Sequence, residues 1–330
     1  MADSSVSVVI PTWNQSRLVD KVLQSLKRQT ILPVETIVVD NGSHDETLLI
    51  AESHGATVIA LAANCGFAAA VNKGIEAAHG DWILIVNNDV ELDSRWLEFA
   101  LQAANEEGSS IAGGKLVQAN DPKRIDGTWD LVAASGCAWR CGWNALDGEL
   151  WNERRTGQLL SFTAILVHRR VLRAVGLLDE RYESYYEDVD FAIRCALAGF
   201  TGVYEPKARA THIGSATLGS SARTIYFVSR NQILLASKFG LNRLSRSRVL
   251  AGQALFVFAR LRQGSFFAAL RGKWDGIWLK RGERPFVCDP VKLQTLLSEQ
   301  EKQICDYQKQ LGWDLSWKMY FRMLGCGYRH

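Results

Sequence analysis

Several features that mark large protein classes are missing from this sequence of 330 residues. No apolar run approaches the roughly 20 residues that a membrane-spanning helix requires. The first residues show no basic segment followed by an apolar run, so we expect no signal peptide. There is no Gly-x-Gly-x-x-Gly turn after the first predicted strand and no Gly-x4-Gly-Lys-Ser/Thr loop. These absences argue against dinucleotide-dependent dehydrogenases and P-loop enzymes.

Cysteine is sparse and scattered along the chain. The seven cysteines stand at positions 65, 137, 141, 195, 288, 305 and 326. This odd, dispersed set fits reduced thiols in a cytosolic protein better than a disulfide framework. Cys137 and Cys141 are four residues apart, but they lack the second pair or the histidines that a zinc site needs. We therefore expect a cytoplasmic protein, and its apolar content of 47% is ordinary for a globular one.

Acidic and basic residues are unevenly distributed, although the net charge is only +3. Residues 1–222 carry 19 Lys/Arg against 28 Asp/Glu, a balance of −9. Residues 223–284 carry 13 against 2, a balance of +11, and residues 285–330 carry 6 against 5. We therefore predict an acidic body over residues 1–222 and a basic, largely helical region over residues 223–330. Such a region suggests an anionic partner.

The basic region admits more than one partner. Basic helices with Trp and Phe suit an anionic lipid surface, and residues 223–284 have this composition. We predict contact with the inner leaflet of the cytoplasmic membrane through these residues. The alternative is a helical subdomain that packs on the body while its charges are solvated. Nucleic acid is not an expected partner, because the segment contains no recognisable reader module.

Apolar runs alternate with segments of helical periodicity through the first hundred residues. Strands are predicted at residues 6–10, 37–40, 57–60 and 82–86, with helical spacing between them. This alternation predicts an α/β protein with a parallel, doubly wound sheet. Residues 108–160 are rich in Gly, Trp and Cys and show little periodicity. Aromatic side chains in such a region either pack in a core or stack on sugar rings.

The predicted strand at residues 82–86 ends in three oxygen-bearing side chains, Asn87, Asn88 and Asp89. The strand is apolar on both faces, as in a buried parallel sheet, where ligands bind at the carboxyl ends of strands. Mg²⁺ prefers oxygen ligands and usually takes one or two carboxylates plus substrate phosphates. Asp89 is therefore a candidate metal ligand. A turn or a helix cap would explain the same residues without a metal.

Polar residues also mark the ends of the first two predicted strands, with Thr12 and Asn14 after the first and Asp40 as the last residue of the second. A carboxylate at a strand end suits a ribose hydroxyl or a base N–H, and a turn cap is the alternative for Asp40.

Three acids fall within residues 187–190, directly before a helical pattern. Acids favour a helix start, but three exceed what capping requires, so one is a candidate general base. His212 follows a short predicted strand at residues 202–204. A lone histidine of this kind is more often structural than a ligand.

Together these residues resemble the family 2 glycosyltransferases, and within them the bacterial rhamnosyltransferase-type enzymes of polysaccharide assembly. The resemblance covers about residues 6–235. It rests on Val9-Ile10-Pro11-Thr12-Trp13-Asn14, Val38-Val39-Asp40-Asn41-Gly42-Ser43, Asn64-x-Gly66-Phe67-x4-Asn72-x-Gly74, Asn87-Asn88-Asp89, Tyr186-Glu187-Asp188-Val189-Asp190 and His212. It implies a GT-A fold, with a Rossmann-like, mostly parallel sheet and a C-terminal helical extension.

The resemblance also implies roles for individual residues. The residues implied to line the nucleotide pocket are Pro11, Thr12, Asn14 and Asp40. Those implied to shape the nucleotide-sugar cleft are Asn64, Gly66 and Asn72. Asn87, Asn88 and Asp89 would take the place of the family's Asp-x-Asp motif. Asp89 and His212 would contact Mg²⁺ or Mn²⁺, Asp188 would be the catalytic base, and Glu187 would help to orient the acceptor.

The function implied is an inverting, metal-dependent glycosyltransferase. It would move a sugar, rhamnose first among the candidates, from a nucleoside-diphosphate sugar to a hydroxyl of a growing polysaccharide or lipid-linked glycan. We expect it to be peripheral at the cytoplasmic membrane. Asn87 departs from the motif, because an amide keeps the oxygen but lacks the charge of the usual acid. This departure alone favours the alternative, a non-catalytic nucleotide-sugar-binding or scaffold protein of the same fold.

Overall fold

The computed structural model describes residues 5–214, 222–261, 263–279 and 286–324. They fall into two compact units. The first lies within Met1–Asp130 and Arg140–Thr217, and the second within Leu131–Trp139 and Leu218–His330. The sequence suggested a single boundary at residue 222, which stays a prediction. It gave no indication of the contribution that Leu131–Trp139 makes to the second unit.

Most of the first unit is a large sheet flanked by helices. In chain order the strands are β1 (Val6–Thr12), β2 (Glu35–Asp40), β3 (Thr57–Ala60), β4 (Trp82–Val86), β5 (Val90–Leu92), β6 (Ile111–Gln118), β7 (Ile125–Gly127), β8 (Asp130–Val132), β9 (Ala138–Arg140), β10 (Arg155–Gln158), β11 (Ala164–His168) and β12 (Gly202–His212). The helices are α1 (Ser16–Lys27), α2 (Thr47–Ser53), α3 (Phe67–Ala77), α4 (Trp96–Glu106), α5 (Arg169–Val175) and α6 (Glu187–Leu197), with 3₁₀ turns at Glu149–Trp151 and Glu180–Tyr182.

The sheet has the order β10-β12-β6-β11-β4-β1-β2-β3, with β5 added on β12 and β7 on β6, while β8 and β9 form a separate pair. β3, β2, β1 and β4 are parallel neighbours. Because β11 is antiparallel to both β4 and β6, those two strands run the same way, and β12 is parallel to β6. The main strands thus share one direction, which confirms the predicted α/β sheet.

The core lies where apolar strands meet the apolar faces of the helices. All five residues of β4 are buried, as the sequence predicted for a central strand. Val19, Val22 and Leu26 recur at helical spacing and form the buried face of α1. The core cluster joins these side chains to Leu84 of β4 and Leu97 of α4. Apolar packing therefore fixes the positions of the strand ends that carry the polar residues.

β12 is much longer than the short strand predicted at residues 202–204. It runs for 11 residues to His212, and its register against β6 shifts between Glu205 and Arg209. Pro206, which cannot donate a ladder hydrogen bond, lies in this irregular part and obscured the pattern in the sequence. At its end β12 also pairs with β5, with His212 opposite Val90. This pairing brings His212 beside Asp89.

The second unit is helical, as predicted. Its described helices are α7 (Ala222–Lys238), α8 (Leu241–Leu244), α9 (Arg246–Ala259), α10 (Phe266–Leu279), α11 (Pro290–Leu311) and α12 (Leu315–Met323). α10 packs closely on α7, since a Cβ at Gly272 would come 2.3 Å from the Tyr226 carbonyl oxygen. No helix in the described ranges is long and apolar enough to cross a membrane. The cysteines within these ranges are free thiols, and Cys326 lies outside them.

Candidate active site

The ends of β1, β2 and β4 bring the first group of predicted residues together. Thr12 is opposite Asp40 in the pairing of β1 with β2. The Asn88 side-chain amide, just after β4, donates a buried hydrogen bond of 2.8 Å to the Thr12 hydroxyl. Pro11 is buried one residue earlier, opposite Val39. Parallel pairing therefore gathers at one sheet edge residues that are 28 or more positions apart in sequence.

Asp40 has an unused oxygen at this edge. Its side chain is only 2% exposed. Oδ2 accepts a hydrogen bond of 3.0 Å from the Ser43 backbone, whereas buried Oδ1 has no hydrogen-bond partner among the described residues. Leaving a buried acceptor unpaired costs about 1–3 kcal/mol. A ligand hydroxyl or N–H would remove this cost, which agrees with the predicted nucleotide pocket.

Asn14 connects the loops after β1 and β2. It adopts a positive φ of 50°, a conformation that Asn tolerates better than most residues. Its backbone N–H donates to the Ser43 hydroxyl at 2.8 Å, and its Oδ1 accepts from the His44 backbone at 2.7 Å. The side-chain oxygen of Asn14 thus holds the loop around Asp40.

Asn41 supports the turn that contains Asn64 and Gly66. Its Oδ1 accepts from the Cys65 backbone at 2.9 Å, and its Nδ2 donates to Asn64 Oδ1 and to the Gly66 carbonyl at 3.2 and 3.1 Å. Sequence reasoning treated Asn41 as part of a turn and gave it no role. The polar run of residues 40–43 was the signal that could have found it.

Gly66 allows the chain before α6 to approach closely. It has a φ of 90°, and a Cβ there would come 2.9 Å from the Glu183 backbone. The Ala68 amide donates to the Glu183 carbonyl at 3.0 Å. Glu183, Tyr185 and Tyr186 all have positive φ, of 58°, 67° and 74°. Such residues cost of order 1–3 kcal/mol each and cluster at functional sites. This strained segment leads directly into the acids at the start of α6.

Asn72 contributes to the cleft only indirectly. Its Nδ2 donates to the Leu178 carbonyl at 2.9 Å and to Glu180 Oε1 at 3.0 Å. Its Oδ1 accepts from the Leu178 backbone at 3.0 Å. Both ends of the amide are therefore engaged in tying α3 to the segment that precedes the strained residues.

Asp89 and His212 form a buried pair. His212 Nε2 lies 3.3 Å from Asp89 Oδ1, and Nδ1 lies 2.7 Å from Asp126 Oδ2. All three side chains are less than a tenth exposed. Burial lowers the pKa of His212, but the hydrogen bonds with Asp126 and Asp89 outweigh it and raise the pKa to about 9. Without a bound cation the ring is thus protonated between two carboxylates.

These residues fit a divalent cation whose remaining ligands would come from the substrate. The described residues contain no group of three or more Asp, Glu, His or Cys that would hold a metal alone. Asp89 and His212 would supply two ligands, which suits an ion that also binds phosphate oxygens. Asp126 on the second ring nitrogen is the usual carboxylate partner of a metal-bound histidine. Asn87 Oδ1 is buried without a hydrogen-bond partner in the described part of the chain. His212 would lose its proton on binding a cation.

The three acids of α6 occupy different environments. Asp190 is fully buried and pairs with Arg194 at 2.9 Å, so it has a structural role. Burial and the neighbouring Asp188 raise the pKa of Glu187 well above its usual value. Burial also raises the pKa of Asp188, and the charge of Arg140 opposes that rise. Asp188 Oδ1 accepts from the Val189 backbone at 2.8 Å. Of the three, Asp188 is therefore the acid best suited to act as a base.

Sequence reasoning missed three charged residues near these groups, Asp126, Asp130 and Arg140. They lie in the region of little periodicity, where β7, β8 and β9 are only three residues long. Burial raises the pKa of Asp130 to about 7, with Arg140 opposing the rise and Asp188 adding to it. They are the only charged residues of the sequence between Arg124 and Asp147, and this was the signal that could have found them.

Comparison with known proteins places this geometry in a family. Residues 7–154 match the model described as Glycosyl transferase family 2. The N-acetylglucosaminyl-diphospho-decaprenol L-rhamnosyltransferase of Mycobacterium tuberculosis is 31% identical over 235 residues, which are 62% of this chain and 75% of the relative. The chain belongs to glycosyl transferase family 2. This family 2 member is a glycosyltransferase, as the sequence predicted, and the non-catalytic alternative is set aside.

Solved structures show that this glycosyltransferase has the GT-A fold with a helical C-terminal region, as predicted. S. aureus TarS 1–349 in complex with UDP-GlcNAc is similar with a TM-score of 0.54 and 19% identity, over 99% of this chain and 93% of that one. GalNAc-T7 with UDP, GalNAc and Mn²⁺ is similar with a TM-score of 0.63 and 14% identity, over 92% of this chain and 58% of that one.

Proposed function

We propose that this family 2 glycosyltransferase moves a sugar, with rhamnose as the first candidate, from a nucleoside-diphosphate donor to a hydroxyl of a glycan or lipid-linked acceptor. The sugar and the acceptor follow the M. tuberculosis relative, whose name specifies an L-rhamnosyl transfer to a diphospho-decaprenol-linked sugar. The observation that carries the mechanism is the buried Asp89–His212 pair, held by Asp126 in the same unit as Asp188.

On the donor side, the nucleotide would meet the polar edge formed by β1, β2 and β4. The unpaired oxygen of Asp40 is available to a ribose hydroxyl or a base N–H. Asp89 and His212 would hold Mg²⁺ or Mn²⁺. When bound there, the cation would neutralise the negative charge that develops on the departing diphosphate.

On the acceptor side, Asp188 would take the proton of the attacking hydroxyl. The hydroxyl oxygen forms a bond to the anomeric carbon while the bond to the diphosphate breaks on the opposite face. The proton stays on Asp188, and the electron pair leaves with the nucleoside diphosphate. A single displacement of this kind inverts the anomeric carbon and needs no covalent enzyme intermediate. Glu187, whose pKa burial and the neighbouring Asp188 raise well above its usual value, would help to orient the acceptor.

Donor identity can be tested by thermal stabilisation. We expect dTDP-rhamnose to raise the Tm only when Mn²⁺ is present, because a ligand that binds the native state stabilises it by mass action. A panel of nucleotide sugars, each measured by differential scanning fluorimetry with Mn²⁺ and with EDTA, checks this. Equal stabilisation with EDTA would contradict a cation-assisted donor site, and a larger shift with another sugar would replace rhamnose as the donor.

Peripheral membrane contact through residues 223–284 is also part of the proposal. α10 exposes a stripe of five large apolar side chains, which we call the α10 stripe. Its members, with their exposed fractions, are Phe267 (82%), Leu270 (43%), Trp274 (62%), Ile277 (40%) and Trp278 (48%). At about 100° per residue they fall within about a third of the helix circumference, away from Gly272 and Gly276, which pack on α7. Trp and Phe beside basic residues suit the lipid interface.

Anionic lipid is the partner that the charge favours for the α10 stripe. The 13 basic and 2 acidic residues of this region attract anionic headgroups and repel the same region of a second copy. Arg262 and residues 280–284 belong to the segment predicted to contact the membrane, and they lie outside the described residues.

Vesicle flotation tests the α10 stripe. We expect a Trp274→Ser, Trp278→Ser variant to bind vesicles containing phosphatidylglycerol at least about tenfold more weakly, because two large apolar side chains no longer enter the interface. Trp143→Ser is the control, since Trp143 is 59% exposed and lies in the first unit. Unchanged flotation of the double variant would contradict the proposal. The proposal would also be contradicted if the native protein formed a concentration-dependent dimer and the double variant remained monomeric.

A further inference from the structure

Arg140, the last residue of β9, touches groups on the cation side of the proposed site, although the proposed mechanism does not use it. Its Nη1 donates to Asp126 Oδ2 at 3.4 Å, the same oxygen that lies 2.7 Å from His212 Nδ1. Its Nη2 donates to the Thr163 hydroxyl at 3.3 Å. The Thr163 carbonyl in turn accepts from the Asn87 backbone at 3.0 Å. The Arg140 guanidinium is thus linked to His212 through Asp126, and to the segment that carries Asp89 through Thr163.

The position of Arg140 is fixed by packing. A Cβ at Gly127 would come 2.9 Å from Arg140 Cδ and 3.2 Å from Cγ, so the side chain lies against the β7 backbone. The Cys141 amide next to it donates to the Trp129 carbonyl at 2.9 Å. The side chain is 31% exposed. Arg140 is therefore held in place before any ligand arrives, as a residue that orients others must be.

Arg140 also carries a positive charge close to several acidic side chains. Its Nε lies 3.9 Å from Asp130 Oδ1. Its charge lowers the pKa of Asp188 and of Asp130 against the effect of burial. The titratable groups around Asp188 are Asp130 from β8, Arg140 from β9 and Glu187 from its own helix, and Tyr185 adds to the field at Arg140. Without Arg140 the mutual repulsion of these acids would not be reduced by its positive charge.

We propose that Arg140 is a positioning residue for the cation side of the transfer site. It orients Asp126, and through Asp126 it orients His212. This role rests on the proposed function of that site, and Arg140 need not touch either substrate.

Two substitutions separate the geometric part of this role from the charge. Arg140→Lys keeps the charge but cannot reach Asp126 and Thr163 together, because an ammonium is a compact point charge. Arg140→Gln removes the charge as well. Changes to such supporting partners typically cost 10–100-fold in metal affinity. We therefore expect both variants to bind Mn²⁺ at least about tenfold more weakly, which electron paramagnetic resonance of free Mn²⁺ in the presence of dTDP would measure.

The pH profile of kcat/KM reports the effect of the charge. A base must be ionised to act, and Arg140 lowers the pKa of Asp188. Its loss in Arg140→Gln should therefore move the acid limb to higher pH, whereas Arg140→Lys should leave the limb near its native position.

The matched control is Arg155→Gln. Arg155 is a half-buried arginine of the same unit whose ion pair goes to exposed Glu153 at 3.3 Å. Mn²⁺ binding as tight as that of the native enzyme in both Arg140 variants would overturn the inference. Loss of Mn²⁺ binding in the Arg155 control to the same extent would reduce Arg140 to a residue of general stability. A native enzyme without cation-dependent transfer would instead refute the proposed function itself, so the two failures are distinguishable.

Discussion

Asp188→Asn is expected to lower kcat by about 10²–10⁴-fold, the usual contribution of a general base. The amide has nearly the shape of the carboxylate but cannot take the acceptor proton. Donor binding should survive, because none of the residues proposed to bind the nucleotide sugar or the cation belongs to α6. Steady-state transfer assays, together with titration of the donor by calorimetry, would measure both quantities.

Asp190→Asn, two residues further along the same helix, provides the contrast. Asp190 is 0% exposed and pairs with Arg194, so the substitution leaves a buried charge without its partner. Breaking a buried pair typically costs about 3–5 kcal/mol, so the expected loss is in Tm. If Asp188→Asn turned over at a rate close to that of the native enzyme, Asp188 would be removed from the mechanism. If Asp190→Asn lost turnover without losing stability, the roles of the two acids would have to be exchanged.

The different surroundings of these acids show what could not be predicted from the sequence. The pattern at residues 187–190 indicated that one acid had an unusual role. It could not separate them, because what distinguishes them is their surroundings. Arg194 is four residues away along the helix, whereas Arg140 comes from a strand 48 positions earlier in the sequence. The first kind of neighbour can be anticipated from helical spacing, and the second cannot.

In the sheet, too, some strands could be predicted from the local sequence, whereas others depend on residues that are distant in sequence. Strands β1 to β4 were predictable because each is a short apolar run followed by a helical pattern, and periodicity is a local property. The full length of β12 was not predictable, since its later residues are ordered by pairing with β5 and β6. His212 consequently looked like an isolated histidine in the sequence. Its hydrogen bond to Asp126 spans 86 positions, and no local signal encodes it.

Asp89→Ala is expected to weaken Mn²⁺ binding by at least about a hundredfold. Losing an outer-shell partner of a metal ligand already costs 10–100-fold, and Asp89 is the carboxylate proposed to contact the cation. The substitution would also leave His212 paired with Asp126 alone. Transfer should then require far more Mn²⁺ than in the native enzyme. The measurements are the Mn²⁺ dependence of kcat/KM and Mn²⁺ binding by paramagnetic resonance with dTDP present.

Two variants of neighbouring residues make this prediction specific to the carboxyl end of β4. Asp81→Ala removes an exposed carboxylate at the opposite end of the same strand, where Asp81 accepts from the Ser5 hydroxyl at 2.8 Å, and it should leave Mn²⁺ binding unchanged. Asn87→Asp places a carboxylate where Asn87 Oδ1 is buried without a hydrogen-bond partner among the described residues, and it should tighten Mn²⁺ binding. If Asp89→Ala bound Mn²⁺ as tightly as the native protein, the cation would not lie between Asp89 and His212. The pairing of β5 with β12 brings these two side chains together. That result would mean that their proximity has no role in cation binding.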